Sequence, residues 1–128
     1  MLNVTCAIIK KEDKIVVTQR SASMSLPLKW EFPGGKLENG ESEIDCIKRE
    51  LKEELNIEIE IIKKLTNSIH DYGKIKINLI PFVVKYKSGE IKLLEHQDYK
   101  CLHKNELTQL DWAEADLPIL KEFIASEI

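Results

Sequence analysis

Arginine is nearly absent from this chain. Of 19 basic residues 17 are lysine, and only Arg20 and Arg49 carry a guanidinium. A planar guanidinium fork suits fixed bidentate contacts with carboxylate or phosphate better than an ammonium does, so each of the two is worth locating. An excess of positive charge is missing as well. Against the 19 bases stand 22 acids, a net charge of −3, which excludes a strongly basic binder of nucleic-acid polymers. No apolar run approaches the roughly 20 residues that a membrane span needs, so no membrane partner is expected. Met1-Leu2-Asn3-Val4 shows no basic segment followed by an apolar stretch and small cleavage residues, so no signal peptide is expected. Cysteine is scarce and unpatterned. Cys6, Cys46 and Cys101 are odd in number, widely spaced and free of a Cys-x-x-Cys pair, which argues against a disulfide framework or a zinc cage and fits a reducing cytoplasm. With 128 residues, 43% of them apolar, the chain is expected to form one domain, residues 1–128.

Along the chain, residues 4–9 and 15–19 read as strands joined by a charged hairpin turn, Lys10-Lys11-Glu12-Asp13-Lys14. Residues 21–40 hold two prolines and three glycines without a helical period and read as loop. The clearest helix is 43–55. Ile44, Ile47, Leu51 and Leu55 form an apolar stripe, Ser42 is a natural N-cap in a capping-box arrangement with Asp45, and Asn56 tolerates the left-handed conformation that often ends a helix. Strict alternation over Ile57-Glu58-Ile59-Glu60-Ile61 predicts a half-buried strand. Residues 66–72 and 75–86 predict two more, paired across Gly73-Lys74. Ile91–Leu94 and Tyr99–Leu102 are shorter strand candidates. A last helix is expected from near Asp116, a candidate N-cap, with Leu117, Leu120 and Ile124 on its buried side and Pro118 in its first turn. The order of elements implies an α+β fold.

The 43–55 helix carries the chemistry. At about 100° per residue, Glu50, Glu53 and Glu54 gather on one face, although like charges four apart repel by a few tenths of a kcal/mol. Residues 38–60 contain nine acids and three bases, so the chain's negative charge is concentrated here and the remainder is mildly basic. Converging carboxylates suit a hard divalent cation, because Mg²⁺ takes oxygen ligands in near-octahedral geometry. A solvated acidic face would explain the glutamates alone, but not the glycine pair and fixed spacing that precede them.

Gly35, five residues, Glu41, seven residues, then Arg49-Glu50-Leu51-Lys52-Glu53-Glu54-Leu55-Asn56-Ile57 resembles the Nudix box, G-x5-E-x7-R-E-U-x-E-E-x-G-U, with U a bulky aliphatic. Only Asn56 departs, standing where the family has glycine. A chance match is on the order of 10⁻⁸ per start point. The approach Trp30-Glu31-Phe32-Pro33-Gly34-Gly35-Lys36, the strand end Thr18-Gln19-Arg20 and the tail Ala115-Asp116-Leu117-Pro118 resemble the MutT-type branch and its CTP-pyrophosphohydrolase relatives.

The resemblance implies the Nudix fold, a mixed β-sheet sandwiched between helices (α/β/α). It implies a hydrolase that takes a (modified) (d)NTP, such as 8-oxo-dGTP or a cytidine triphosphate, to the monophosphate and pyrophosphate, with a place in DNA repair through sanitation of the nucleotide pool. Mg²⁺, or Mn²⁺ in its stead, is the implied cofactor. Glu50, Glu53 and Glu54 are its implied ligands, together with a backbone carbonyl of Gly34 or Gly35 and help from Glu41 through a water. Arg49 would orient a carboxylate, and the general base is Glu50 or Glu53, with Glu95 on a later loop a candidate to assist. Arg20 and Lys36 are candidates for gripping phosphate oxygens, and Trp30 and Phe32 for stacking on the base. Asp116 stands where the family reads the base edge: an ionised aspartate only accepts, which suits the amino group of cytosine, while a protonated one could serve 8-oxoguanine. The three histidines show no metal-ligand spacing and read as structural or incidental. Competing readings are a Nudix hydrolase of ADP-ribose, a dinucleotide or dihydroneopterin triphosphate, and a non-catalytic nucleotide sensor. The expected partner is a small nucleotide, for a monomer or a homodimer.

Overall fold

A computed structural model describes all 128 residues. Its centre is β1 (Leu2–Lys11), which turns through Glu12-Asp13 into β2 (Lys14–Gln19) with Lys11 opposite Lys14. Thr5 to Ile9 are all buried, because both faces of β1 are covered and the strand has no solvent side to alternate toward. Next come β3 (Trp30–Glu31), β4 (Gly34–Lys36), α1 (Glu43–Leu55), β5 (Glu58–Lys64), β6 (Ser68–Asp71), β7 (Lys76–Ser88) and β8 (Asp98–Leu102). Two 3-10 turns, Lys104–Gln109 and Glu114–Asp116, lead into α2 (Leu117–Ala125).

The strands form one mixed sheet in the order β3-β2-β1-β7-β5, with β4 on β1, β6 on β7 and β8 on β2. Only β1 and β7 run parallel, Leu2 opposite Ile77 through Lys10 opposite Lys85. On one face Ala7, Ile9, Val16, Ile80 and Val84 pack with Ile47, Leu51 and Leu55 of α1. On the other, Cys6, Ile8, Val17 and Val83 pack with Ile119, Leu120 and Phe123 of α2. This is the expected sandwich. Each fully buried leucine or isoleucine in it contributes about 1.5–3 kcal/mol of apolar burial.

Both ends of α1 are closed as its sequence predicts. Ser42 Oγ accepts from Asp45 N at 3.1 Å, and Asn56 takes the left-handed conformation at φ 62°, ψ 35°. Its stripe is shifted: Ile44 faces solvent and Cys46 is buried. A like shift occurs in α2, where Ile119, Leu120 and Phe123 are inside and Leu117 and Ile124 are largely outside. Asp116 makes no capping bond to that helix. Two strand readings need correction. Residues 21–40 are not all loop, since β3 and β4 lie within them, and 91–94 is not a strand. There Lys92 N and Leu94 N donate to the carbonyls of Leu55 and Glu54 at 3.0 and 3.3 Å, satisfying last-turn oxygens of α1 that have no partner within the helix. No helix is long and apolar enough to cross a membrane.

Candidate active site

The glycine pair positions everything else. In β4, Gly34 pairs with Cys6 and Gly35 with Thr5, and a Cβ on Gly34 would collide with the Thr5 carbonyl. A Cβ on Gly35 would collide with the Glu50 carboxyl, so the second glycine lets that side chain lie against the backbone. Thr5 Oγ1 donates to the Gly35 carbonyl at 3.1 Å and contacts Cys46 Sγ at 3.2 Å, which fastens β4 between β1 and α1.

Arg49 is the hub of the acidic end. Its Nε donates to Glu41 Oε2 at 2.7 Å and its Nη2 to Glu41 Oε1 at 3.0 Å and the Lys36 carbonyl at 3.2 Å. Its Nη1 reaches Glu50 Oε1 at 2.9 Å and Glu53 Oε2 at 3.1 Å. The fork that lysine lacks is fully used. Hydrogen bonds from Arg49 hold the Glu41 carboxyl down to about 2, and Arg49 in turn is raised further by Glu41.

Glu54 behaves in the opposite way. Its Oε2 is buried without a partner, and burial, reinforced by the charges of Glu50, Glu95 and Glu31, pushes its carboxyl up to about 9. No three acidic or histidine side chains meet at one point at ligand distance, because Glu50 and Glu53 turn toward Arg49. The donor chemistry nonetheless fits a hard cation: clustered carboxylates, one of them holding a buried oxygen with no donor to satisfy it.

From Gly34, Gly35, Lys36 and Glu54 a cleft runs past Arg20, Glu31 and His96 to an inner chamber. That chamber, about 270 Å³, is walled by Val4, Leu26, Tyr72, Ile75, Ile77 and Ala115, with Asp116 at its base. Asp116 is buried and its Oδ2 accepts from Phe32 N at 2.9 Å. Burial, then the charge of Glu31, raises its carboxyl well above the usual range, which favours the neutral acid.

The sequence model of the NUDIX domain matches residues 1–123. The chain belongs to the Nudix family. It is 34% identical over 125 residues to the CTP pyrophosphohydrolase of Escherichia coli (strain K12), spanning 98% of this chain and 93% of that protein. It is 33% identical over 84 residues to the 8-oxo-dGTP diphosphatase of Proteus vulgaris, spanning 66% of this chain and 75% of the relative. The solution structure of the DNA mismatch repair protein MutT, a Nudix hydrolase from methicillin-resistant Staphylococcus aureus 252, superposes with a TM-score of 0.78 at 38% identity, covering 96% of this chain and 95% of the other. This chain is therefore a Nudix hydrolase.

Within this Nudix hydrolase the box residues Glu41, Arg49, Glu50, Glu53 and Glu54 come together beside Gly34 and Gly35, and Glu95 lies close enough for its charge to reach Glu54. Lys36 lines the cleft, exposed. Arg20 lines it too, but its fork is engaged: Nη1 donates to Glu31 Oε1 at 2.8 Å and Nε to the Ser25 carbonyl at 2.6 Å. Trp30, a stacking candidate, lines neither part of the cleft, whereas Phe32 does line it, though with little of its ring open. Both are core residues, Phe32 against Trp112 with centroids 4.7 Å apart and Trp30 beneath the Lys100 ammonium. His96, read as structural or incidental, is buried in the cleft wall on Glu31, and Tyr72 and Leu26 join the chamber. Their partners lie far away in sequence, and no local spacing marks them.

Proposed function

We propose that this Nudix hydrolase is a single-domain, Mg²⁺-dependent nucleoside triphosphate pyrophosphohydrolase. Its substrate is a (modified) (d)NTP of the 8-oxo-dGTP or cytidine triphosphate kind, cleaved to the monophosphate and pyrophosphate. The observation that carries the reading is the continuous cleft. Gly35 and Glu54 of the box line one part of it, and apolar side chains around the buried carboxyl of Asp116 line the other. The names of the relatives support the same class of substrate.

Glu50, Glu53 and Glu54, with a carbonyl of the Gly34-Gly35 strand and Glu41 behind them, would hold the cation. Bound there, it supplies neutralisation of the phosphate charge and a more acidic water. The chain's own groups do the rest. Arg49 holds Glu41 and keeps Glu50 and Glu53 gathered at one end of the cleft, from which they would turn toward the cation as it binds. Glu50 or Glu53 takes the proton of the attacking water, with Glu95 assisting. Water adds at phosphorus, the P–O–P bridge breaks, and pyrophosphate leaves. Lys36, and Arg20 where it can be released from Glu31 and Ser25, would grip phosphate oxygens from the cleft that both line. Aliphatic side chains would enclose the base, and the Asp116 carboxyl that lines the cleft, favoured in its neutral form, can donate as well as accept. That capacity serves either an oxidised guanine edge or the cytosine N3 and amino pair.

The test is pyrophosphate release across ordinary and modified (d)NTPs, ADP-ribose and a dinucleotide, with Mg²⁺ or Mn²⁺. Monophosphate and pyrophosphate from 8-oxo-dGTP, CTP or 5-methyl-dCTP are expected. Orthophosphate as product, or turnover confined to the diphosphate-linked substrates, sinks the reading. Tight binding without turnover points to a sensor.

A further inference from the structure

His96 differs from the other two histidines in burial. Its side chain is 1% exposed, against 29% for His70 and 49% for His103. Its Nε2 lies 2.8 Å from Glu31 Oε2, while Nδ1 is buried with no partner. The other oxygen of Glu31 accepts from Arg20, so Glu31 stands between the two. In a neutral imidazole so placed, the proton belongs on Nε2, donating to the carboxylate, and Nδ1 is a bare acceptor. An apolar side chain would fill the space without an orphaned nitrogen, so packing alone does not account for a histidine here.

The path of the surrounding segment does account for it. Leu94 N is tied to the Glu54 carbonyl at 3.3 Å and Gln97 N to the Gln19 carbonyl at 2.9 Å. Between these ties neither Glu95 N nor His96 N donates to the backbone. The imidazole on Glu31 is the tie between these two, at the residue after Glu95, whose other neighbour Leu94 is bonded to Glu54, and His96 itself forms part of the cleft wall.

We propose that His96 is a positioning residue: anchored through Nε2 to Glu31, it holds the 94–97 segment so that Glu95 faces Glu54, and it ties the acidic end of the cleft to Arg20. The proposal rests on the reading of Glu95 given above. Two variants test it, each checked by thermal melting to be folded. His96→Leu removes the anchor, and His96→Gln keeps a donor at about the reach of Nε2. In the free protein, amide hydrogen exchange at Leu94 and Gln97 should quicken by about tenfold or more in His96→Leu and return near the wild-type rate in His96→Gln. With substrate, His96→Leu should lower kcat about 10- to 100-fold at nearly unchanged KM, with recovery in His96→Gln. In a Glu95→Gln background the same change should cost less than about twofold. Wild-type exchange at both amides in His96→Leu, or equal loss of kcat in both backgrounds, overturns the proposal. Faster exchange together with a fully active Glu95→Gln supports the anchor and removes the role given to Glu95.

Discussion

Arg49 grips Glu41 with two nitrogens, at 2.7 and 3.0 Å, from the second turn of α1 back to the loop that precedes the helix. The same guanidinium then reaches forward to Glu50 and Glu53. One of the chain's two arginines thus decides where three carboxylates point. An ammonium at this position could serve one of them at a time.

The Glu41 contact gives a pH signature. Arg49 lowers the Glu41 carboxyl from its ordinary 4.5 to about 2 in the folded protein. A carboxyl depressed on folding contributes stability above its unfolded pKa and loses it as pH falls through the folded one. Urea unfolding of wild type and Glu41→Gln should therefore differ by a constant amount above pH 4.5, and the gap should close as pH approaches 2. A gap independent of pH over that window would mean that Glu41 does not act through its charge.

Glu54 predicts the reverse slope. Its carboxyl is raised from 4.5 to about 9, so between these values the unfolded chain ionises while the folded carboxyl keeps its proton. Stability should fall with rising pH across that window, and Glu54→Gln should abolish the fall. A cation entering beside Glu54 needs the ionised form. Calorimetry of Mg²⁺ binding at pH 7.5, in buffers of different ionisation enthalpy, should then report about one proton released per site. No proton release would count against Glu54 as a ligand.

Much of this could be read from the chain because it is encoded locally. The helical period and the caps Ser42 and Asn56 delimit α1, and alternation with Gly73-Lys74 gives the β6–β7 hairpin. The box, a spacing that runs from Gly35 through Glu41 into α1, places the acidic cluster. What the sequence hides is set by distant partners. Gly34 and Gly35 read as loop, because their strand character exists only against Cys6 and Thr5. Phe32 reads as a stacking candidate, and that most of its ring is packed in the core cannot be read locally, because its partner Trp112 comes 80 positions later. Glu31 and His96, 65 residues apart, look like ordinary polar residues until the fold brings them to 2.8 Å.

Glu53 should be the clearest single test of the chemistry. It is 60% exposed and makes one side-chain bond, to Arg49, so the fold depends little on its charge. Glu53→Gln keeps the size and an acceptor oxygen while removing a proposed ligand and candidate base. Turnover should drop by about three orders of magnitude or more, with an unchanged thermal melt in the absence of cation. Near-normal activity would move both roles elsewhere in the cluster.

Asn56 tests whether departure from the family's glycine matters. A left-handed conformation costs an ordinary L-residue about 1–2 kcal/mol, less for asparagine. Here Asn56 also donates from Nδ2 to the Glu90 carbonyl at 3.2 Å, an exposed bond of modest net value. Asn56→Gly would relieve the backbone, lose that bond and gain unfolded-state entropy, terms of similar size and mixed sign. Its stability should lie within about 0.5 kcal/mol of wild type. Asn56→Ala loses the bond and keeps the strain, so it should cost about 1 kcal/mol or more. Activity should persist in both, since the last turn of α1 ends on backbone bonds from Asn56 N to the Leu51 and Lys52 carbonyls that neither change removes. Urea midpoints rank the three proteins, and an alanine variant as stable as the glycine one would mean that the φ of 62° is not what selects asparagine here.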